Sequence, residues 1–192
     1  MMNPTRNDMA GHADHHPPEL RASLAYGPCF AEGLGTVLEA YYPLQAALAA
    51  DDDAAAATAA RKVVASLDNI SCDLEDLTRT DADFWRSGLA SLGDAAARTA
   101  AATNIAERRQ AIEPLSDHLW AALSQFGTGT ETVVRRFHCP MAFDNEGAFW
   151  IQPGTTTANP YYGAMMLRCG AQKEVLGEGS GSPGSEAPGE GS

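Results

Sequence analysis

Basic residues are scarce in this chain. Lys and Arg number 13 against 25 Asp and Glu, a formal net charge of −12 over 192 residues and a pI of about 4.7. Such a field repels phosphate backbones and anionic headgroups, so neither nucleic acid nor a membrane surface is expected as a partner. Long apolar runs are also missing. No stretch approaches the roughly 18 apolar residues of a membrane span, so no insertion is expected. The segment from Met1 to Pro28 has no apolar core of the secretory kind, and the sequence gives no cellular address. Catalytic signatures are missing too: there is no nucleophile elbow, phosphate-binding loop, dinucleotide fingerprint or zinc-protease helix. The numerous carboxylates read as a solvated face, and no enzyme is expected. The four cysteines, Cys29, Cys72, Cys139 and Cys169, are too few for a disulfide scaffold. Cys29 and Cys72 have no sulfur-rich neighbourhood, and Cys72 reads as a small core residue.

Large aliphatic side chains are few, but alanine is abundant, and alanine favours helix at no cost in side-chain entropy. Four successive faces at helical spacing follow. The first is Leu34, Val37, Leu38, Tyr41, Leu44 and Leu48, with Pro43 expected to kink or divide it. The second follows the caps Asp51-Asp52-Asp53 and presents Ala56, Ala60, Val63, Val64, Leu67, Ile70 and Leu74. The third follows Asp81 with Phe84, Trp85, Leu89, Leu92 and Ala96. The fourth opens at Asn104 with Glu107 in a capping-box arrangement and presents Ile105, Ile112, Leu115, Leu119, Leu123 and Phe126, bent at Pro114. After Gly127 the pattern alternates. Residues 132–138 and 148–151 suit two strands around the Asp144-Asn145-Glu146-Gly147 turn. The expected fold is mainly α: a four-helix up-and-down bundle with a small C-terminal β-hairpin and turn segment over residues 28–176. Residues 1–27 are expected to form a flexible arm, and 177–192, rich in Gly, Ser, Glu and Pro, a disordered tail.

Sulfur is concentrated near the C-terminal end of this domain. Cys139 and Met141 flank Pro140, and Met166 and Cys169 are three apart, so a helical turn would set both sulfurs on one face. Thiolate and thioether are soft donors that select Cu(I) or another thiophilic ion. His138 adds a nitrogen donor, although neighbours on a strand point to opposite faces. Cys139 and Cys169 also suit a disulfide, or a pair of inert buried thiols, but a disulfide does not need the methionines, which favour metal. His12, His15 and His16 in the arm suit loose metal capture or plain solvation. His118 falls on the polar side of the fourth helix. Trp150, Phe143, Phe149, Tyr161 and Tyr162 are expected to pack the hairpin on the bundle, and Asn159-Pro160 and Gly163 to supply turn chemistry.

The chain resembles the bacterial domain of unknown function 3347 family. The resemblance rests on His138-Cys139-Pro140-Met141-Ala142, on Gly147 with Trp150-Ile151-Gln152, on Asn159-Pro160-Tyr161-Tyr162-Gly163, and on Met166 with Cys169-Gly170. It extends to Val37-Leu38-Glu39-Ala40-Tyr41 and residues 46–51, covering roughly 30–172. That family occurs as stand-alone extracytoplasmic proteins and as an appendage on Cus-type heavy-metal efflux adaptors. The resemblance implies a periplasmic or extracytoplasmic helical domain that handles copper or another heavy metal, in contact with an efflux component. It carries over Cys139, Met141, Met166 and Cys169 as the metal positions. The alternative is a structural or interaction domain stapled by Cys139–Cys169, with no metal.

Overall fold

The computed structural model describes residues 26–131 and 133–177. The expected arm and tail, with His12, His15 and His16, lie outside those residues, apart from their innermost positions. Four long helices come first: α1 Pro28–Ala49, α2 Asp53–Asp68, α3 Arg79–Ala101 and α4 Ile105–Phe126. Each helix packs on the next, and α4 returns against α1. Among the described residues no helix is long and apolar enough to cross a membrane.

The bundle follows from the apolar spacing. Leu34, Val37, Leu38, Tyr41, Leu44 and Leu48 are all at most 1% exposed, one stripe along α1. In α2 and α3 the core positions are mostly alanines: Ala56, Ala59, Ala60, Ala95 and Ala96. Small side chains let these helices approach closely, so a chain poor in leucine still closes a core. Capping sets the helix starts. Asp52 accepts from Ala55 N–H at 2.9 Å, and Thr78 from Asp81 N–H at 3.2 Å. Asn104 accepts from Glu107 N–H at 3.0 Å. The Glu107 carboxylate accepts in return from the N–H of Thr103, one residue before the cap. That bond and the Thr103 hydroxyl hold Glu107 below the usual carboxylate range.

Three expectations are corrected here. Pro43 does not divide α1, which is continuous through it. At Pro43 the ladder lacks only the N–H that proline cannot supply. The face assigned to α2 overruns the helix, which ends at Asp68, so that Ile70 and Leu74 pack on the core from the loop. Cys72 is not a lone core thiol. It is bonded to Cys29, tying the start of α1 to the α2–α3 loop.

A three-stranded antiparallel sheet follows: β1 Val134–Cys139, β2 Ala148–Gln152 and β3 Ala171–Leu176, in the order β2-β1-β3. The hairpin was expected and β3 was not. Its residues Ala171 to Glu174 are exposed, so it carries no apolar alternation to announce it. Arg136 pairs with Ile151 and with Glu174, His138 with Phe149 and with Ala171. Residues 134, 136 and 138 therefore share the sheet face that meets α4. There the Arg136 guanidinium lies 4.0 Å from the Phe149 ring centroid. It also bonds Asp117 on α4 and Glu174 on β3, each at 2.7 Å. Arg135, Phe137 and Cys139 belong to the other face, where Phe137 stacks on Trp150 at 5.5 Å. Residues 153–170 cross this second face on their way to β3.

The Cys29–Cys72 bond closes 43 residues. On loop-closure entropy it stabilises the fold by roughly 4 kcal/mol. Replacing both cysteines by alanine is expected to lower the unfolding free energy by that order in a denaturant titration. An unchanged midpoint would contradict the bond.

Candidate functional site

The two C-terminal thiols meet. Cys139 ends β1, and Cys169 lies where the crossing segment turns into β3. Their Sγ atoms are 3.4 Å apart, with both thiols free. Cys139 is 0% exposed, while Cys169 is partly open to solvent.

The crossing segment is held in place by its own polar groups. Asn159 is fully buried. Its side-chain amide donates to the Cys169 carbonyl at 2.8 Å, and its side-chain oxygen accepts from Tyr161 N–H at 2.8 Å. Gln152, also buried, accepts from Ala158 N–H at 3.0 Å and donates to the carbonyls of Gly154 and Thr156 at 2.9 Å. From α4, Arg109 donates to Pro160 O at 2.8 Å, to Leu48 O at 2.8 Å and to the Asp51 carboxylate at 2.6 Å. Asp51 also accepts from Ala164 N–H at 2.8 Å. The Arg109 bond, followed by the Ala164 N–H, holds the Asp51 carboxyl below its ordinary range. Gly163, at φ 57°, sits against Asp51 and Arg109, and any side chain there would overlap both groups. At Gly170, φ 116°, a side chain would strike Trp150 and the His138 carbonyl, one residue from the Cys169 sulfur.

The remaining candidate ligands are less well gathered. Met141 is 45% exposed, and its carbonyl accepts from the Tyr162 hydroxyl. The Tyr162 phenol is raised above its usual value, first by burial and then by the nearby sulfurs of Cys139 and Cys169. The expected helical turn over 164–169 is not formed. A 3-10 turn covers only Gly163–Met165, and Met166, at φ −142° and ψ 45°, has left it. Met166 and Cys169 are therefore not on one helical face, although Cys169 N–H donates to Met166 O at 2.9 Å. Met165 is 81% exposed. His138 lies on the opposite face of β1 from Cys139, its ring 4.5 Å from that of Phe149. Alternation along the strand separates it from the thiols. Among the described residues no three His, Cys, Asp or Glu side chains come together as a metal-holding group. The gathered donors are two thiols, with thioethers nearby in sequence.

A hollow of about 180 Å³ opens between α3 and α4, lined by Phe84, Trp85, Gly88, Ala121 and Phe126 among others. His118 lines it as well, so this histidine borders an apolar hollow instead of a purely polar face.

Asn159, Gln152, Arg109, Asp51 and Gly163 were not singled out as site residues in the sequence. The one available signal was polar residues in a turn-rich segment, which turn chemistry alone explains equally well.

The Cys139 contact and, behind it, burial raise the Cys169 thiol above its ordinary value. The contact favours the protonated form, so its loss should bring the titration back down. With both thiols free, alkylation of Cys169 by iodoacetamide is expected to rise only above the usual thiol range. In Cys139→Ala the rate profile should move to lower pH. An unmoved profile would show that the thiols do not touch in solution.

A family model described as a protein of unknown function (DUF3347) matches residues 37–131. The matched span runs from α1 through α4 and ends before β1, so it carries no information on Cys139 or Cys169. No curated protein and no solved structure matches the chain. The helices thus supply the likeness that the sulfur-bearing motif had suggested: the chain belongs to the DUF3347 family.

Proposed function

We propose that this domain binds a soft metal ion, Cu(I) foremost, through Cys139 and Cys169. The observation that carries the reading is the 3.4 Å approach of two free thiols from segments 30 residues apart. Two thiolates that close repel each other unless a cation neutralises them. Two sulfurs on one ion, at about 2.3 Å each and a tetrahedral angle, lie roughly 3.8 Å apart. A small rotation of the partly open Cys169 side chain supplies the difference. A structural zinc site would need four closed ligands, and the gathered donors do not provide them. Thiolate completed by thioether suits Cu(I), with Met141 and Met166 as the thioethers nearest in sequence. His138, on the other strand face, is the weakest of the proposed ligands.

The Cys29–Cys72 bond supports an oxidising, extracytoplasmic setting. In that setting the domain would hold or pass metal without catalysis, and a component of a heavy-metal efflux system is the partner that the resemblance suggests. The same approach of sulfurs favours a second reading, a Cys139–Cys169 staple with no metal. Closing 30 residues, it would add roughly 3 to 4 kcal/mol.

Titration with Cu(I) against a chromogenic Cu(I) chelator, with Cys139 and Cys169 as free thiols and the Cys29–Cys72 bond intact, tests the first reading. One ion per chain is expected, lost in the Cys139→Ser, Cys169→Ser double variant. Met141→Leu or Met166→Leu should weaken binding on the order of tenfold while sparing the fold, since Leu nearly conserves the volume of Met. Full Cu(I) affinity in the double variant would overturn the metal reading. Thiols that resist reagent until reduction, in a protein that then takes up no Cu(I), would establish the staple.

A further inference from the structure

The two sulfurs differ in access. Cys139 is 0% exposed at the end of the central strand, beneath the crossing segment. Cys169 is partly exposed, at the rim of that segment. A disulfide reagent arriving from solvent therefore reaches Cys169 and not Cys139, while Cys139 lies 3.4 Å behind it. This is the arrangement of an attacking thiol backed by a resolving one.

We infer that Cys169 and Cys139 form a thiol–disulfide exchange couple for low-molecular-weight disulfides, with Cys169 as the attacking thiol and Cys139 as the resolving thiol. The inference does not depend on the metal reading. In the first step the Cys169 thiolate attacks one sulfur of glutathione disulfide. An S–S bond forms between Cys169 and glutathione, the reagent's own S–S bond breaks, and one glutathione thiolate leaves. In the second step Cys139 loses its proton to solvent and attacks the Cys169 sulfur. The mixed disulfide breaks, the Cys139–Cys169 bond forms, and the second glutathione thiolate leaves. Two protein thiols are oxidised, and one glutathione disulfide is reduced to two glutathiones.

The surroundings suit both steps. Asn159 and the Met166 carbonyl anchor the Cys169 backbone on both sides of its sulfur-bearing carbon. Closing the couple shortens the S···S distance from 3.4 Å to a bond of about 2.05 Å.

The test uses the full chain with the Cys29–Cys72 bond intact, incubated with glutathione disulfide and followed by mass mapping of peptides. Wild type should gain the Cys139–Cys169 bond with no lasting adduct. Cys139→Ser should trap glutathione on Cys169. Cys169→Ser should take up glutathione on Cys139 at least roughly tenfold more slowly, for want of access. Cys139→Ala repeats the trap without a buried hydroxyl, in case the serine variant folds poorly. Equal labelling of the two single-cysteine variants would overturn the inference. So would wild type that accumulates a stable mixed disulfide, which would mean Cys139 cannot resolve it. Neither result bears on Cu(I) affinity, so this inference and the metal reading fail independently.

Discussion

The guanidinium of Arg109 joins three parts of the chain that are far apart in sequence. From α4 it reaches the end of α1 at Leu48 O, the α1–α2 turn at Asp51, and the crossing segment at Pro160 O. A planar fork with donors in fixed directions suits this better than a point charge. Asp51 completes the junction by accepting from Ala164 N–H, and Gly163 leaves room for both side chains. Gln45, buried on α1, adds a bond to the Ala158 carbonyl of the same segment. The position of one sulfur thus depends on an ion pair and a glycine outside the sulfur cluster.

The other sulfur is placed by the sheet. Arg136 docks β1 on α4 through Asp117, with Glu174 and the Phe149 ring closing around the same guanidinium. Strand alternation then sets Cys139 and His138 on opposite faces of the sheet. Phe137 and Trp150, both buried, support the outer layer on which residues 153–170 lie. Burying such rings contributes about 1.5 to 3 kcal/mol each. Asn159 and Gln152 satisfy the crossing segment from within, so it keeps one path with only the 3-10 turn at Gly163–Met165 as regular structure. The two arginine junctions, one for each sulfur, make a 30-residue separation into a contact.

The bundle was legible because periodicity and caps act locally. The spacing of Leu34 to Leu48 and the Asn104 and Asp52 caps each need only their own neighbours. The meeting of Cys139 and Cys169 was legible from sulfur concentration at the two ends of one segment. What escaped notice is non-local or has no apolar signature. The Cys29–Cys72 pairing follows no spacing rule. β3 exposes four of its six residues; it is held by pairing with β1 and by the Trp120 indole N–H, which donates to Glu174 at 3.2 Å. Asp51 reads as part of the cap run 51–53 and Arg109 carries no signal of its own, until the fold brings them together beside Pro160 and Ala164. The helical turn drawn from Met166 to Cys169 failed because the backbone there is committed to Asn159 and Gly170, whose constraints outweigh the spacing of two residues.

The central claim is that two thiols, one from a strand and one from a crossing segment, converge in the folded chain. A trivalent organic arsenical tests it most directly, because it forms two As–S bonds and is retained only where two thiols can reach one atom. The account predicts one arsenical per folded chain with the Cys29–Cys72 bond intact and the other two thiols free, with Cys139 and Cys169 both blocked. It also predicts release on denaturation in competing dithiol, and loss of tight binding when either cysteine is replaced. Binding no tighter than to a single-cysteine variant would contradict the account.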